Sequence, residues 1–298
     1  MRTVTTVAAL RAALDAERAA GRRIGLVPTM GALHDGHLSL IARAGQECDV
    51  VVASLFVNPT QFNDAADLDA YPRTVLQDAR SAAAAGVDIL FTPAAEEVYP
   101  HGFATQVVPG GVAERLEGAH RGRGHFIGVA TVVVKLIGMA GPDVAYFGQK
   151  DAQQVAVIRR VVTDLNLRVA IAVCPTVRDA DGLALSSRNA RLSATDREAA
   201  LSLSRALELT RDAVRDGEDD PVAATAAGRA AVAASGARLE YLELVGPDDL
   251  EPVPRIAGPV LAVIAAYVGT VRLIDNVLID PAPGSRESIL ATATLGRC

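Results

Sequence analysis

The segment that most restricts the fold is the apolar run D-V-V-V-A-S-L-F-V at residues 49–57, which turn residues bound at both ends. A strand that is apolar at nearly every position is typical of a parallel sheet covered on both faces. Further buried strands, separated by helical patterns, are predicted at 24–27, 87–91, 144–147 and 169–173. Because strands and helices alternate over residues 1–175, we expect an α/β fold with a doubly wound parallel sheet.

The pattern changes after residue 175. A polar loop at 177–191 precedes a long helix at 194–215 and an alanine-rich helix that ends near residue 235. Three strands with partial alternation follow, at 238–245, 260–268 and 271–279. We therefore predict a Rossmann-like domain at 1–176 and a smaller C-terminal α+β domain at 177–298. Within the first, the loop-rich stretch 93–128 is predicted to hold one short strand near 105–108.

Composition limits the classes of function. Half of the 298 residues are apolar and the net charge is −6, which argues against nucleic acid or an anionic membrane as a partner. The longest apolar run, 129–140, is interrupted by Lys135, and residues 1–17 lack the pattern of a signal peptide. Cys48, Cys174 and Cys298 lie far apart, as in a protein of a reducing compartment. We expect a soluble, cytoplasmic protein.

The stretch G-L-V-P-T-M-G-A-L-H-D-G-H at 25–37 predicts a strand, a tight turn and the start of a helix. Gly31 and Gly36 allow a close approach of the backbone to a ligand, and a helix N-terminus suits phosphate. His34 and His37 are three residues apart and would share one face of the first turn. The alternatives are an ordinary turn with two surface histidines or a metal site. No Cys, Asp or Glu at ligand spacing accompanies the pair, which disfavours the metal.

Two more polar turns fall at element ends: Gln149-Lys150-Asp151, and the run Ser186-Ser187-Arg188-Asn189. Each alone is typical of a helix cap or a turn. Together with the histidines they supply imidazole, ammonium, hydroxyl and guanidinium donors, the set that a triphosphate requires. Lys150 is one of only two lysines among 29 basic residues, Lys135 being the other. The chain contains neither a P-loop nor a G-x-G-x-x-G motif.

An ordered set of motifs carries a family resemblance. The set is P-T-M-G-A-L-H-x-G-H, F-V-N-P-x-Q-F, Y-P-R, F-G-x-K-D-x-Q-Q, V-R-x-x-D-G-L-A-x-S-S-R-N and R-L-I-D-N, running from Pro28 to Asn276. It resembles the pantothenate synthetase (pantoate–β-alanine ligase) family of the nucleotidylyltransferase superfamily. The resemblance implies ATP-dependent joining of pantoate and β-alanine through pantoyl adenylate, with release of AMP and pyrophosphate. It also implies a role in the biosynthesis of vitamin B5 and coenzyme A, Mg²⁺ as a cofactor beside ATP, and a homodimer.

The resemblance also implies roles for individual residues. The catalytic set that it implies is His34, His37, Lys150, Ser187 and Arg188. ATP-binding residues would be Pro28, Thr29, Met30, Gly36, His37, Gly148, Lys150, Asp151, Val177, Leu185, Ser186, Ser187 and Arg188. Pantoate-binding residues would be Met30, Asn58, Gln61, Phe62 and Gln154. No metal ligand among the protein side chains is assigned, and the smaller domain is expected to act as a lid.

Gln61 and Gln154 would hold pantoate's hydroxyls and carboxylate, because amides both donate and accept. Met30 and Phe62 would line its dimethyl group, and Asp151 would contact the ribose or the phosphates.

The chain departs from the family pattern at four positions. Gln149 stands where glutamate is common, Ala152 where an aromatic residue is common, Leu185 where methionine is usual and Asn63 where glycine is usual. None of these changes removes a group assigned to chemistry. The competing interpretations are an adenylyltransferase acting on a phosphorylated acceptor and a nucleotide-binding scaffold that has lost catalysis. The base that deprotonates β-alanine stays open between His34 and a water, as does the role of Arg121 and Arg123.

Overall fold

A computed structural model describes residues 1–63 and 65–281. Cys298 and the other residues beyond 281 lie outside the described residues. The chain divides into two compact units. The first unit contains residues 1–148 and 153–174, and the second contains residues 149–152 and 175–281 among those described.

The first unit is built around a parallel sheet of six strands in its described part. These strands are β1 (Arg2–Val4), β2 (Ile24–Thr29), β3 (Val50–Leu55), β4 (Ile89–Phe91), β5 (Val144–Gly148) and β6 (Ala170–Cys174). Their order is β1-β4-β3-β2-β5-β6, and every neighbouring pair is parallel. The order reverses between β2 and β5, the point beside which open α/β sheets bind ligands.

Helices precede or follow the strands of this sheet. They are α1 (Val7–Ala19), α2 (Asp35–Glu47), α3 (Ala65–Asp69), α4 (Val75–Ala84), α5 (Ala95–Val98), α6 (Glu117–Arg121), α7 (Gly124–Ala140) and α8 (Ala152–Asp164). The alternating pleat of β3 assigns the helices to two faces. Val50 and Val52 share a core with α1, α7 and α8, whereas Val51 and Ala53 share another with α2 and α4. The predicted doubly wound sheet is confirmed.

The prediction of a short strand near 105–108 is wrong. Residues 104–110 are irregular, and the N–H of Val107 donates to the side-chain oxygen of Thr131 on α7 instead of to a strand.

The second unit has its own core. Helices α9 (Ala194–Arg215) and α10 (Pro221–Ala234) pack on an antiparallel sheet of β7 (Arg238–Val245), β8 (Val260–Val268) and β9 (Val271–Ile279). The strands follow one another in the sheet, with residues 246–259 joining β7 to β8 and only residues 269–270 joining the antiparallel pair β8 and β9. This is the smaller α+β architecture that the sequence predicts.

Candidate active site

The histidine turn, residues 29–37, leaves the carboxyl end of β2 in an unusual conformation. Gly31 and Ala32 both have positive φ, at 85° and 51°. Glycine adopts this region readily, whereas alanine there is strained. Thr29 supports the bend, because its hydroxyl donates to the carbonyl of Ser54 at 2.6 Å and accepts from the N–H of Gly31 at 3.2 Å.

A buried carboxylate holds this turn in place. Asp78, which is 2% exposed, accepts from the N–H of Ala32 at 3.0 Å and from that of Leu33 at 2.8 Å. The hydroxyl of Thr74 donates to the same carboxylate at 3.1 Å. These bonds satisfy the buried charge and fix the backbone directly before His34.

His34 and His37 cap the N-terminus of α2. Nδ1 of His34 accepts from the N–H of Gly36 at 3.2 Å, and Nδ1 of His37 accepts from the N–H of His34 at 3.4 Å. The two rings lie 4.1 Å apart between centroids. Because both Nδ1 atoms accept, each neutral imidazole carries its proton on Nε2, which is the donor. Paired caps at one helix end thus set the chemistry of both histidines.

Residues 58–62 after β3 form a loop that contains three of the residues predicted to bind the acid pantoate, and it is called the acid loop below. It is organised by Asn58, which is 1% exposed. Its Nδ2 donates to the side-chain oxygen of Gln61 at 3.0 Å and to the carbonyl of Gly128 at 3.2 Å. Nε2 of Gln61 in turn donates to the sulfur of Met30 at 3.3 Å. Three of the predicted pantoate-binding residues, Met30, Asn58 and Gln61, therefore form one connected group.

The other two predicted pantoate residues lie outside this chain of hydrogen bonds. Phe62 packs edge-on against Tyr71, with ring centroids 5.7 Å apart, and Gln154 is half-buried on α8. Its neighbour Gln153 is buried and structural. Gln153 accepts from the N–H of Glu117 and donates to the carbonyls of Val112 and Arg115, each at 2.8 Å.

Helix α7 lies directly against the acid loop. A Cβ added at Gly128 would overlap the carbonyl of Thr60 and lie 2.6 Å from the amide nitrogen of Gln61. Only glycine permits this approach. His125, also on α7, bonds from Nδ1 to the carbonyl of Gln61 at 2.8 Å.

The second unit contains the lysine turn, the short 3₁₀ helix Gln149–Asp151. Asn276 on β9 donates from Nδ2 to the carbonyls of Gln149 and Lys150, at 2.9 and 2.8 Å. Its Oδ1 accepts from Nε2 of Gln149 at 3.1 Å. The amide at position 149 therefore bonds to Asn276, and the carboxylate nearest to Lys150 in this turn is that of Asp151, 3.9 Å from Nζ.

The loop at 177–191 in the second unit is a narrow hairpin that ends in a turn. The N–H of Leu185 donates to the carbonyl of Val177 at 3.0 Å. At the turn, the hydroxyl of Ser186 accepts from the N–H of Arg188 at 3.2 Å and caps the 3₁₀ helix Ser187–Arg191. The side-chain amide of Asn189 donates to the carbonyl of Ala184 at 3.0 Å.

A charge pair anchors this hairpin. Arg178 makes two bonds, of 2.6 and 2.9 Å, to the carboxylate of Asp275, which is buried beside Asn276 on β9. Among the described residues, the buried Thr176 Oγ1 and Asn189 Oδ1 have no hydrogen-bond partner, and both atoms belong to this loop and its approach. Orphaned buried oxygens are uncommon in native proteins, and a catalytic role or an ordered water is among their explanations.

Within residues 1–63 and 65–281, no cluster of three or more His, Cys, Asp or Glu side chains is suited to a metal ion. The helices in the same part of the chain all lack the length and apolarity needed to cross a bilayer.

Comparison with known proteins places the chain in a family. The family model for pantoate–β-alanine ligase matches residues 2–278. The chain belongs to the pantoate–β-alanine ligase family. Pantothenate synthetase of Cereibacter sphaeroides is 55% identical over 272 residues, which cover 91% of this chain and 97% of that protein. That of Acidobacterium capsulatum is 50% identical, covering 96% of this chain and 99% of the relative.

Solved structures agree. Pantothenate synthetase from Thermus thermophilus is 47% identical, with a TM-score of 0.88, covering 93% of this chain and 99% of that structure. Pantoate–β-alanine ligase from Francisella tularensis, solved as a complex with beta-gamma ATP and β-alanine, is 36% identical. Its TM-score is 0.79, and the match covers 95% of this chain and all of that one. The chain is therefore an enzyme of the pantoate–β-alanine ligase family.

Several supporting residues of this ligase were not assigned from the sequence. Asp78, Arg178, Asp275 and Asn276 hold the predicted catalytic turns without belonging to them. The last three lie inside quoted motifs, V-R-x-x-D-G-L and R-L-I-D-N, so their recurrence in those motifs was the available signal. Asp78 lies five residues after the Y-P-R motif and had no such signal.

Proposed function

We propose that this ligase activates pantoate as its acyl adenylate and then transfers the pantoyl group to β-alanine. Support comes from the family match over residues 2–278 and from the Francisella relative, which was solved with beta-gamma ATP and β-alanine. A carboxylate is a poor electrophile, and bonding one of its oxygens to phosphorus makes that oxygen part of a good leaving group. In the first step a pantoate carboxylate oxygen forms a bond to the α-phosphorus of ATP, and the bond from that phosphorus to pyrophosphate breaks.

The two histidines suit this step. With Nδ1 of each ring accepting from a backbone N–H at the start of α2, the neutral imidazole has its proton on Nε2, the ring atom that would donate to a phosphate oxygen. Donors fixed before the reaction stabilise charge that develops on a leaving pyrophosphate without reorganising. We assign His34 and His37 to this role, together with Lys150, Ser187 and Arg188.

The remaining ATP contacts in the proposal come from backbone and small side chains. They are Pro28, Thr29, Met30, Gly36, Gly148, Asp151, Val177, Leu185 and Ser186. The hairpin pairing of Val177 with Leu185 gives an ordered strip of peptide groups, which is suited to an adenine edge.

Pantoate is assigned to the group formed by Met30, Asn58 and Gln61, with Phe62 and Gln154 as further contacts. The connected amides offer polar groups beside a thioether, which matches an acid that carries both hydroxyls and a dimethyl group. In the second step the amine of β-alanine attacks the acyl carbon, AMP leaves with the electrons of the acyl–phosphate bond, and the nitrogen loses a proton to solvent.

Mg²⁺ enters this proposal as part of the ATP complex, because its preferred ligands are phosphate oxygens and water with few protein groups. It would supply neutralisation of phosphate charge. Three further expectations stay predictions: a homodimer, a cytoplasmic location, and the second unit as a lid that protects the adenylate from water. Light scattering coupled to size exclusion measures the first.

The experiment that tests the mechanism measures pyrophosphate release from ATP with pantoate, with and without β-alanine. We expect a burst of about one equivalent per site with pantoate alone, which becomes steady turnover when β-alanine is added. Pyrophosphate release that does not depend on pantoate would overturn the proposal.

A further inference from the structure

Both ends of the Asn58 side-chain amide are hydrogen-bonded, and these partners determine which end is the oxygen and which is the nitrogen. Its Oδ1 accepts from the hydroxyl of Tyr99 at 2.7 Å and from the hydroxyl and N–H of Thr60, at 2.9 and 3.4 Å. Its Nδ2 donates to the carbonyl of Gly128, which can only accept. An N–H faces Oδ1 and a carbonyl faces Nδ2, so the reversed amide would lose both bonds.

The orientation of the Asn58 side-chain amide determines that of the Gln61 side-chain amide. Because Nδ2 of Asn58 is a donor, the side-chain atom of Gln61 that meets it must be the oxygen. The thioether sulfur of Met30 gives the same answer independently, since it accepts from the opposite atom, Nε2, at 3.3 Å. Met30 takes one hydrogen of Nε2, which leaves the second to donate to a ligand.

The aromatic group around Tyr99 supports this arrangement. The Tyr99 ring lies 5.0 Å from that of Phe103 and 6.1 Å from that of Phe56, centroid to centroid. Nζ of Lys135 lies 4.5 Å from the Phe103 centroid and 5.8 Å from the Tyr99 centroid. Burial raises the pKa of the Tyr99 phenol, and the Thr60 hydroxyl, 3.2 Å away, opposes this only in part, so the phenol keeps its proton.

We propose that Tyr99 is a positioning residue that, through Asn58, makes Gln61 a hydrogen-bond donor towards the acid substrate. The inference rests on the proposed function and adds to it the direction of the hydrogen bond between Gln61 and pantoate. The pantoate atom that faces Gln61 is then an acceptor, a carboxylate or hydroxyl oxygen. Tyr99 touches no substrate in this scheme. Its contribution is to hold the carbonyl oxygen of Asn58 away from Gln61.

The test compares Tyr99→Phe with Tyr267→Phe, which removes the same atom from a tyrosine of the second unit whose ring stacks on Arg238. For Tyr99→Phe we expect the KM for pantoate to rise roughly threefold to tenfold, the usual range for loss of one hydrogen bond. The KM values for ATP and β-alanine should stay within twofold, as should all three constants of Tyr267→Phe. Thr60→Val, which removes a second donor to Asn58, should act in the same direction.

Gln61→Glu tests the polarity itself. The new carboxylate keeps an oxygen for Asn58 but presents a second oxygen to the acid, so pantoate binding measured by calorimetry should weaken more than 50-fold. Retained binding by Gln61→Glu would show that Gln61 accepts from the substrate and would overturn the inference. So would a Tyr99→Phe enzyme with a lower melting temperature and an unchanged KM for pantoate. If the wild-type enzyme fails to turn over pantoate, the proposed function fails instead.

Discussion

The histidine turn and the lysine turn are both held by buried side chains, but these act on different partners. Asp78 captures two backbone N–H groups, of residues 46 and 45 positions earlier in the chain. In the second unit Asp275 pairs with the guanidinium of Arg178, 97 positions away, while the neutral amide of Asn276 holds the lysine turn. The first support is an anion satisfied by peptide dipoles, and the second is a neutralised charge pair beside an amide.

This difference predicts different weaknesses. Asp78 is only 2% exposed, so water has little access to replace the acceptor that the two peptide N–H groups would lose. Arg178 is 31% exposed at its side chain, so water can replace part of what Asp275 supplies. We therefore expect the first unit to be less tolerant than the second of loss of its aspartate.

Substitution of Lys150, in the lysine turn, is expected to have the largest effect on catalysis. Lys150→Ala should lower the rate of adenylate formation at least about 100-fold, the typical loss for one fixed donor to developing charge. Single-turnover pyrophosphate release measures it. Lys150→Arg, which keeps the charge in a different shape, should recover part of the rate, and a loss under threefold in Lys150→Ala would remove the residue from the mechanism.

Asp78→Asn comes next. The amide must turn one N–H towards a backbone N–H, which we expect to cost about 1–3 kcal/mol of unfolding free energy. Displacement of His34 should also lower kcat/KM roughly 10- to 100-fold. Urea unfolding and steady-state kinetics measure the two effects.

Asp88→Asn is the matched control for this prediction. Asp88 is an exposed carboxylate that accepts from the N–H of Val51 at 2.8 Å, and asparagine keeps that acceptor. The control should leave both quantities nearly unchanged. Equal effects in the two variants would mean that the histidine turn does not depend on its buried carboxylate.

Asp275→Asn should have a smaller effect. The lost pairing with a partly exposed guanidinium should lower the unfolding free energy by about 1–1.5 kcal/mol and raise the KM for ATP roughly threefold to tenfold. The exposed pair of Arg255 and Asp219 provides the comparison, since Asp219→Asn should cost under about 1 kcal/mol. If Asp275→Asn proved more damaging than Asp78→Asn, the contrast between the two supports would be reversed.

Gln149→Glu should have the smallest effect. Asn276 directs its Nδ2 to two backbone carbonyls, so its Oδ1 would meet the new carboxylate and repel it. The glutamate side chain should turn away while the two backbone bonds persist, and kcat should change less than about threefold. Steady-state kinetics with ATP as the varied substrate measure this, and a tenfold change would mean that the 149 side chain itself holds Lys150 in place.

Local patterns made most of the fold predictable. The helix at 194–215 and the three strands of the second unit have the predicted bounds, because Gly, Pro or Ser residues stand at the ends of their apolar patterns. β1 was missed, since three residues at a sheet edge carry too little pattern. The paired caps of His34 and His37 are also local, and their spacing in sequence pointed to one helix turn.

What could not be predicted depends on long-range contacts. The sequence placed Lys150 in a turn but gave no reason for Asn276, which lies 126 positions away, to hold that turn. The departure from the family pattern at Gln149 illustrates the same limit. That side chain bonds to Asn276, a contact that no neighbouring residue in the sequence announces.

The contact of α7 with the acid loop has a mechanical consequence. With no room for even a methyl group at position 128, residues 58–62 cannot yield towards α7 when a substrate arrives. They can move only in the opposite direction, and such a movement would break the bonds from Asn58 to the carbonyl of Gly128 and from His125 to the carbonyl of Gln61. The acid loop can therefore open for a substrate on one side only, the side that faces away from α7.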